Sequence, residues 1–271
     1  MKEFKNEIDH YRQRVEELEQ ELEKRKLEYD KELSLAAKIH QTLLPKPIRH
    51  EKIHVDVRYL PIEQVGGDYC QVRFYEEDIC YITMCDVTGH GIAPALMATR
   101  VSSEVRQCIS NGYSPQEIVK SVNSLICENF KETHFYPSFV AARLDLNNHK
   151  ITWSGAGHPS PLILRSKTAT VDEMTSQNTL LGIQEDNLED ESEHTLSLEP
   201  GDRLFFYTDG LSETITDSGS VPGVNGMVEL AKSTSPKGIF DVADCMLKKI
   251  AEYDDEAIPD DKTLIVVEIQ N

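Results

Sequence analysis

The sequence predicts an α+β protein in which antiparallel strands form a sheet sandwich, with a long helix in front of it. Three observations carry that prediction. Apolar runs of strand length recur in groups, IHVDVRYL (53–60) and ICYITMC (79–85) before one pair of helical segments, SFVAARLDL (138–146) and KITWSGA (150–156) after it. Helical periodicity falls between those groups instead of alternating with every strand, which argues against a doubly wound sheet. The first forty or so residues differ in composition from everything that follows, being charged and free of strand-like runs.

Taken in order, the N-terminal segment places Phe4, Ile8, Tyr11, Val15, Leu18, Leu22, Tyr29, Ala36, Ile39 and Leu43 on the a and d positions of one heptad register. Arg25 and Glu32 occupy d positions and weaken the middle of the seam. A polar helix of this kind gains little stability alone, so the register predicts a parallel homodimeric coiled coil over residues 4–43. The other reading is a solvated charged helix. Pro45 and Pro47 are expected to stop the helix, which gives a coiled-coil and linker segment at 1–44 and a second domain at 45–271. Residues 53–60 alternate like a half-buried strand, whereas 79–85 are apolar throughout and predict a strand covered on both faces. Helices follow at 92–110 and 115–131, the second announced by Ser114-Pro115-Gln116-Glu117, a capping box with proline at the first helical position. Strands resume at 138–146, 150–156, 161–165, 194–198 and 203–208, then a helix at about 238–253 and a last buried strand, TLIVVEI (263–269). The acidic stretch 184–193 is expected to be a mobile loop.

The totals narrow the function. A chain of 271 residues allows one large domain or two small ones. A formal charge of −19 disfavours a nucleic-acid partner, whose recognition needs clustered Lys and Arg. None of the six cysteines forms a CxxC pair and several sit in apolar runs, so reduced thiols in a cytoplasmic protein are expected. The N-terminus lacks the apolar core of a signal peptide, and no stretch approaches a membrane span.

Asp86 closes the apolar run 79–85 just before a Gly-His-Gly turn, and three other positions share its setting. Asp68 follows Gly66-Gly67 where a strand begins, Asp209 follows RLFFYT, and Asp260-Asp261 lead into TLIVVEI. Rigid strands fix their own ends, and converging carboxylates there would repel one another unless cations neutralised them. Hard oxygen ligands suit Mg²⁺ or Mn²⁺. Each motif alone can also be a simple strand-end turn.

Read together, GGDY, CDVTGHGIAPALM, SGAGHPSPLIL, PGDRLFFYTDGLSE and DDKTLIVVEI resemble the ordered blocks of bacterial metal-dependent protein phosphatases, the protein phosphatase 2C-like branch of the sporulation stage II and general-stress sigma-factor regulators. AAKIHQTLLPKP (36–47) is similar to that branch's lead-in from a regulatory region, and the similarity covers about residues 36–271. The resemblance implies α-β-β-α layers, two Mn²⁺ or Mg²⁺ ions at one sheet edge, and hydrolysis of phosphoserine or phosphothreonine. Position by position, it makes Asp86 the ligand bridging both metals and puts the Val87 carbonyl and Asp68 on one of them. Asp209 and Asp260 fall on the other, with Asp261 the alternative to Asp260. The implied substrate is a phosphorylated anti-sigma-factor antagonist. His90 is the nearest titratable candidate for the acid that protonates the departing serine, though a loop histidine is more often structural or surface-exposed. His158 and Trp153 read as structural.

Some residues depart from the family pattern. Ile92-Ala93-Pro94 stands where relatives show a Leu-Pro-Ala order, and no arginine stands where larger relatives clamp phosphate. In the resembling family the helices after the Asp86 turn can shift and reposition ligands; here they could equally just cover the sheet. The rival to an enzyme is a catalytically weak signalling adaptor that dimerises through its coil.

Overall fold

A computed structural model describes residues 2–89, 91–176, 178–184, 188, 192–213, 223–251 and 260–271. The chain divides into two compact units, Met1–Gln41 and Thr42–Asn271.

The first unit is one 40-residue helix, α1 (Lys2–Gln41). Ion pairs between Arg14 and Glu17 and between Arg25 and Glu21 lie along its surface, and exposed pairs of this type contribute only a few tenths of a kcal/mol each. Phe4, Tyr11, Val15, Leu18, Leu22, Tyr29 and Ile39, all on the heptad seam, are exposed. The helix ends at Gln41, ahead of the prolines, so Leu43 lies in the turn that follows and not on the helix.

The second unit stacks two antiparallel sheets. One contains β1 (Ile48–His50), β2 (Ile53–Leu60), β7 (Leu162–Leu164), β8 (Val171–Glu173), β10 (Arg203–Tyr207) and β11 (Lys262–Ile269), in the order β1-β2-β11-β10-β7-β8. The other contains β3 (Tyr69–Glu76), β4 (Ile79–Asp86), β5 (Ser138–Asp145), β6 (Lys150–Ala156) and β9 (His194–Ser197), ordered β3-β4-β5-β6-β9. Alternation along the strands assigns each side chain to a layer. Cys80, Ile82 and Met84 of β4 join Leu204, Phe206, Ile265 and Val267 in the core between the sheets. Tyr81 and Cys85 of β4 point the other way, into a core shared with α2 (Ile92–Ser110) and α3 (Pro115–Asn129). Phe205, Tyr207, Leu264 and Val266 pack instead against α5 (Gly223–Ser233) and α6 (Ile239–Ala251). The result is the expected α-β-β-α layering, and β4 is buried on both faces as its unbroken apolar run required.

The capping box at α3 forms as expected: Glu117 N donates to Ser114 Oγ at 3.3 Å and Ser114 N donates to Glu117 Oε2 at 2.7 Å. That helix stops at Asn129, two residues early, and a short 3₁₀ turn covers Lys131–Thr133. Trp153 is in the core, its indole N–H donating to the Thr175 carbonyl at 3.2 Å. All six cysteines are free thiols. Most of the acidic stretch 184–193 lies outside the described residues. Among the described residues no helix is long and apolar enough to cross a membrane.

Candidate active site

The strand ends that carry the aspartates meet at one edge of the two sheets. Tyr69 pairs with Cys85 across β3 and β4, so Asp68 and Asp86 stand just beyond adjacent partners in one sheet. In the other, Tyr207 pairs with Leu264, and Thr208 N donates to the Thr263 carbonyl at 3.1 Å. That pairing sets Asp209, the first residue of a single helical turn, α4 (Asp209–Ser212), beside the start of β11. Gly210 makes the approach possible, since a Cβ there would lie 2.1 Å from the Asp261 carbonyl oxygen. Gly67 does the same for the first sheet: a Cβ would lie 2.5 Å from the Val87 carbonyl oxygen, which is thus held close to the backbone that carries Asp68.

Two threonines organise Asp68. The hydroxyls of Thr208, at 2.9 Å, and Thr263, at 2.5 Å, both donate to its Oδ2. The same Thr208 Oγ1 accepts from Thr263 N at 3.0 Å. Oδ1 of Asp68 is buried with no hydrogen-bond partner, and so is Oδ1 of Asp209. A buried carboxylate oxygen without a donor is costly, and a cation is one way to satisfy it. Burial pushes the Asp68 carboxyl well up; the two threonines oppose that shift, and Asp261 and Asp209 add to it.

Asp86, the last residue of β4, has its carboxyl pushed up to about 10. Burial is the largest cause, followed by the negative charges of Asp68 and Asp209, a hydrogen bond with Asp209, and Asp260. Asp86 therefore feels three of the carboxylates singled out by the sequence, Asp68, Asp209 and Asp260. Glu213, just after α4, is also raised, by burial and then by Asp209 and Asp260. Among the described residues no three His, Cys, Asp or Glu side chains stand at the spacing of a finished metal-ligand set. The donors nonetheless fit divalent cations: all are hard oxygens, and two are orphaned.

Asp260 and Asp261 are distinguished by their surroundings. Asp261 is buried, its Oδ1 accepting from Ile62 N at 2.9 Å and its Oδ2 from Gly67 N at 2.8 Å. Both oxygens thus tie the 62–67 loop to β11, which leaves Asp261 a structural clamp. Asp260 is exposed, accepts from Asp261 N at 2.8 Å, and acts electrostatically on Asp86. His90 lies outside the described residues.

The carboxylates open onto a cleft of about 530 Å³, lined by Asp86, Asp209 and Glu213, by the hydroxyls of Thr88, Ser138, Ser160 and Ser212, by His158, and by apolar Tyr136, Leu180 and Val224. Among the described residues its lining includes no Lys or Arg. Thr88 is fixed by the backbone of Tyr136, accepting from its N–H at 3.2 Å and donating to its carbonyl at 3.3 Å. Thr208, Thr263 and the clamp role of Asp261 went unread in the sequence, although both threonines lie within two residues of an aspartate.

A fold of two antiparallel sheets between helix layers, with carboxylates at one sheet edge, defines a phosphatase domain of the protein phosphatase 2C type. The family model for Stage II sporulation protein E matches residues 76–270, and the chain belongs to that family. Phosphoserine phosphatase RsbU of Bacillus subtilis (strain 168) is 27% identical over 244 residues, covering 89% of this chain and 70% of the relative. Phosphoserine phosphatase RsbP of the same organism is 29% identical over 191 residues; the match covers 69% of this chain but only 47% of the relative's length. The SiaA-PP2C domain of Pseudomonas aeruginosa has the same fold, with a TM-score of 0.79 at 19% identity over 90% of this chain and 98% of that one.

Two outcomes follow from the geometry. Asp261→Ala removes the acceptor of one buried and one part-buried N–H group and is expected to lower stability by about 2 kcal/mol, measured by urea unfolding. Asp86 holds its proton in the folded chain from its ordinary value of 3.8 up to about 10. Between those limits unfolding releases a proton, so stability falls as pH rises. EDTA-treated protein should melt at a lower temperature at pH 8 than at pH 6, and Asp86→Asn should shrink that difference.

Proposed function

We propose that this chain hydrolyses phosphoserine on a regulatory protein, with an anti-sigma-factor antagonist as its substrate, using two divalent cations, Mn²⁺ or Mg²⁺. The observation that carries the reading is the position of Asp86. It sits at the end of a doubly buried strand, within hydrogen-bonding reach of Asp209 and close to the orphaned oxygens, on the wall of a cleft open to a substrate. That the relatives RsbU and RsbP are phosphoserine phosphatases supports the substrate class.

In this reading Asp86 would help hold both ions, Asp68 and the Val87 carbonyl would hold one of them, and Asp209 and Asp260 would hold the other. When bound, a cation pair supplies a water of lowered pKa and neutralises charge on a phosphate monoester. The chain's own contribution is placement. β4 and β10 fix Asp86 and Asp209, and the two threonines keep one oxygen of Asp68 occupied and leave the other available. Ser160 lines the cleft as a neutral hydroxyl, while Thr88 and Ser212 already donate to the Tyr136 and Asp209 carbonyls and Ser138 is hydrogen-bonded to His158. Tyr136, Leu180 and Val224 offer apolar contact to the residues flanking a phosphoserine. The departing serine oxygen leaves as the alcohol, and His90 is the candidate to supply its proton. Buried Cys70 and Cys85 have thiols pushed up by burial, so neither is a nucleophile at neutral pH.

We place the protein in the cytoplasm, where its six free thiols stay reduced. We also assign it a homodimer through residues 4–43, because the exposed seam of α1 needs a partner helix to bury it.

Activity on a phosphoserine protein should require Mn²⁺ or Mg²⁺ and vanish with EDTA. Asp86→Ala and Asp209→Ala should each reduce turnover on the order of 10²–10³-fold. Asp260→Ala should weaken Mn²⁺ binding in a titration while leaving the urea midpoint close to wild type, the reverse of Asp261→Ala. Turnover that survives chelation would refute the mechanism. Val15→Glu combined with Leu22→Glu should convert a dimer to a monomer in sedimentation velocity without lowering the melting temperature of the sheet domain.

A further inference from the structure

His158 follows β6 in a loop that the parallel bridge between Phe139 and Gly157 pins to β5. Gly157 turns the chain there with φ +62°, and the imidazole that follows is 5% exposed although it lines the cleft. Its Nδ1 lies 2.8 Å from Ser138 Oγ. Ser138 is the β5 residue paired with Asp86, so this contact reaches the strand end that carries the central carboxylate. The ring also meets the Tyr207 backbone carbonyl as an acceptor, although Nε2 makes no well-formed hydrogen bond. Tyr207 ends β10, two residues before Asp209. Ser138 and Tyr207 belong to different sheets.

One buried ring thus touches the site end of both sheets. Burial pushes its pKa down to about 3, so at neutral pH it carries no charge into a region already crowded with carboxylates. Which of Ser138 Oγ and His158 Nδ1 donates in their hydrogen bond is set by the tautomer of the neutral ring.

We propose that His158 is a positioning residue, a strut between Ser138 and Tyr207 that fixes the separation of Asp86 from Asp209 and thereby sets the affinity for the cations. The proposal rests on the two-cation reading above. Groups that orient metal ligands from behind characteristically change affinity by about 10- to 100-fold when removed. A ring that only filled space would change stability and leave affinity alone.

The test uses the full-length chain and Mn²⁺ alone. Free Mn²⁺ is followed by electron paramagnetic resonance during titration of wild type, His158→Ala, His158→Gln, Ser138→Ala, the His158→Ala/Ser138→Ala double variant and Asp86→Ala. Melting of the EDTA-treated proteins is recorded alongside. His158→Ala should weaken Mn²⁺ binding about tenfold, His158→Gln should restore part of it, and the double variant should bind no worse than His158→Ala. On a phosphoserine peptide at saturating Mn²⁺, kcat should fall while KM stays within about twofold, the signature of misplaced chemistry and not of lost substrate binding. Mn²⁺ affinity within twofold of wild type in His158→Ala, with Asp86→Ala impaired, overturns the strut and leaves the site reading intact. Unchanged affinity in Asp86→Ala overturns both. If His158→Ala does not fold, Ser138→Ala decides, because it releases one end of the strut with the ring in place; unchanged affinity there overturns the proposal.

Discussion

Holding Asp86 and Asp209 within hydrogen-bonding reach, where burial has already stripped much of their water, costs free energy that the carboxylates cannot repay. The repayment comes from elsewhere in the fold. The three apolar cores on either side of and between the sheets contain no member of the acidic group. Their burial makes the strands rigid enough to hold like charges together. β4 is the clearest instance: with seven buried residues before Asp86, it has no freedom to swing its end away from the neighbouring strand. On the proposed reading, the same repulsion that is a liability in folding would favour multiply charged cations at this edge.

Rigid strands alone would not suffice, because a carboxylate on a fixed backbone can still rotate away. Asp68 shows how the chain handles this. Two threonine hydroxyls claim one of its oxygens, so the side chain is oriented by neutral donors and the other oxygen stays bare. Asp261 shows the contrasting use of the same side chain. Its two oxygens accept from two backbone N–H groups of the 62–67 loop, and that loop delivers Gly67 and Asp68. Asp260 is exposed and acts on Asp86 through its charge, whereas Asp261 holds the scaffold. The difference arises from which backbone groups lie within reach, not from the residue type.

That distinction marks where the sequence stopped being legible. Periodicity located β2 and β4 to within a residue, because an alternating run and an unbroken apolar run follow from how many faces of a strand are covered. The capping box located α3 because its signature is local. The strands β1 and β8, three residues each, are too short to show a period, and α5 begins Gly-Val-Asn-Gly, which reads as a turn. The aspartates themselves stood out as strand-end residues, and five ordered motifs named the family. The choice between Asp260 and Asp261 stayed open because both precede β11, and only a partner from residues 62–67, almost two hundred positions away, separates them. The threonines escaped for a similar reason: a threonine beside an aspartate is unremarkable until a third strand brings Asp68 between two of them. His158 read as structural, which its burial bears out; what the sequence did not give was that its neighbours are the partner of Asp86 and the end of β10.

Charge has a further consequence for how such a site works. The chain carries a net −19, and among the described residues the cleft has acidic but no basic lining groups. A phosphate monoester approaching the cation-free cleft meets a repulsive field, and neutral hydroxyls are too weak to reverse it. On the proposed reading, attraction for the phosphate arises only once cations have reversed the local sign. Cation binding and substrate binding are then coupled through the same carboxylates, so at limiting cation anything that changes the spacing of Asp86 and Asp209 changes both. In relatives that clamp phosphate with an arginine, part of that attraction is built into the protein. Here it is left to the cations, which makes the geometry of the two strand ends the single place where affinity for metal and affinity for phosphoserine are set together.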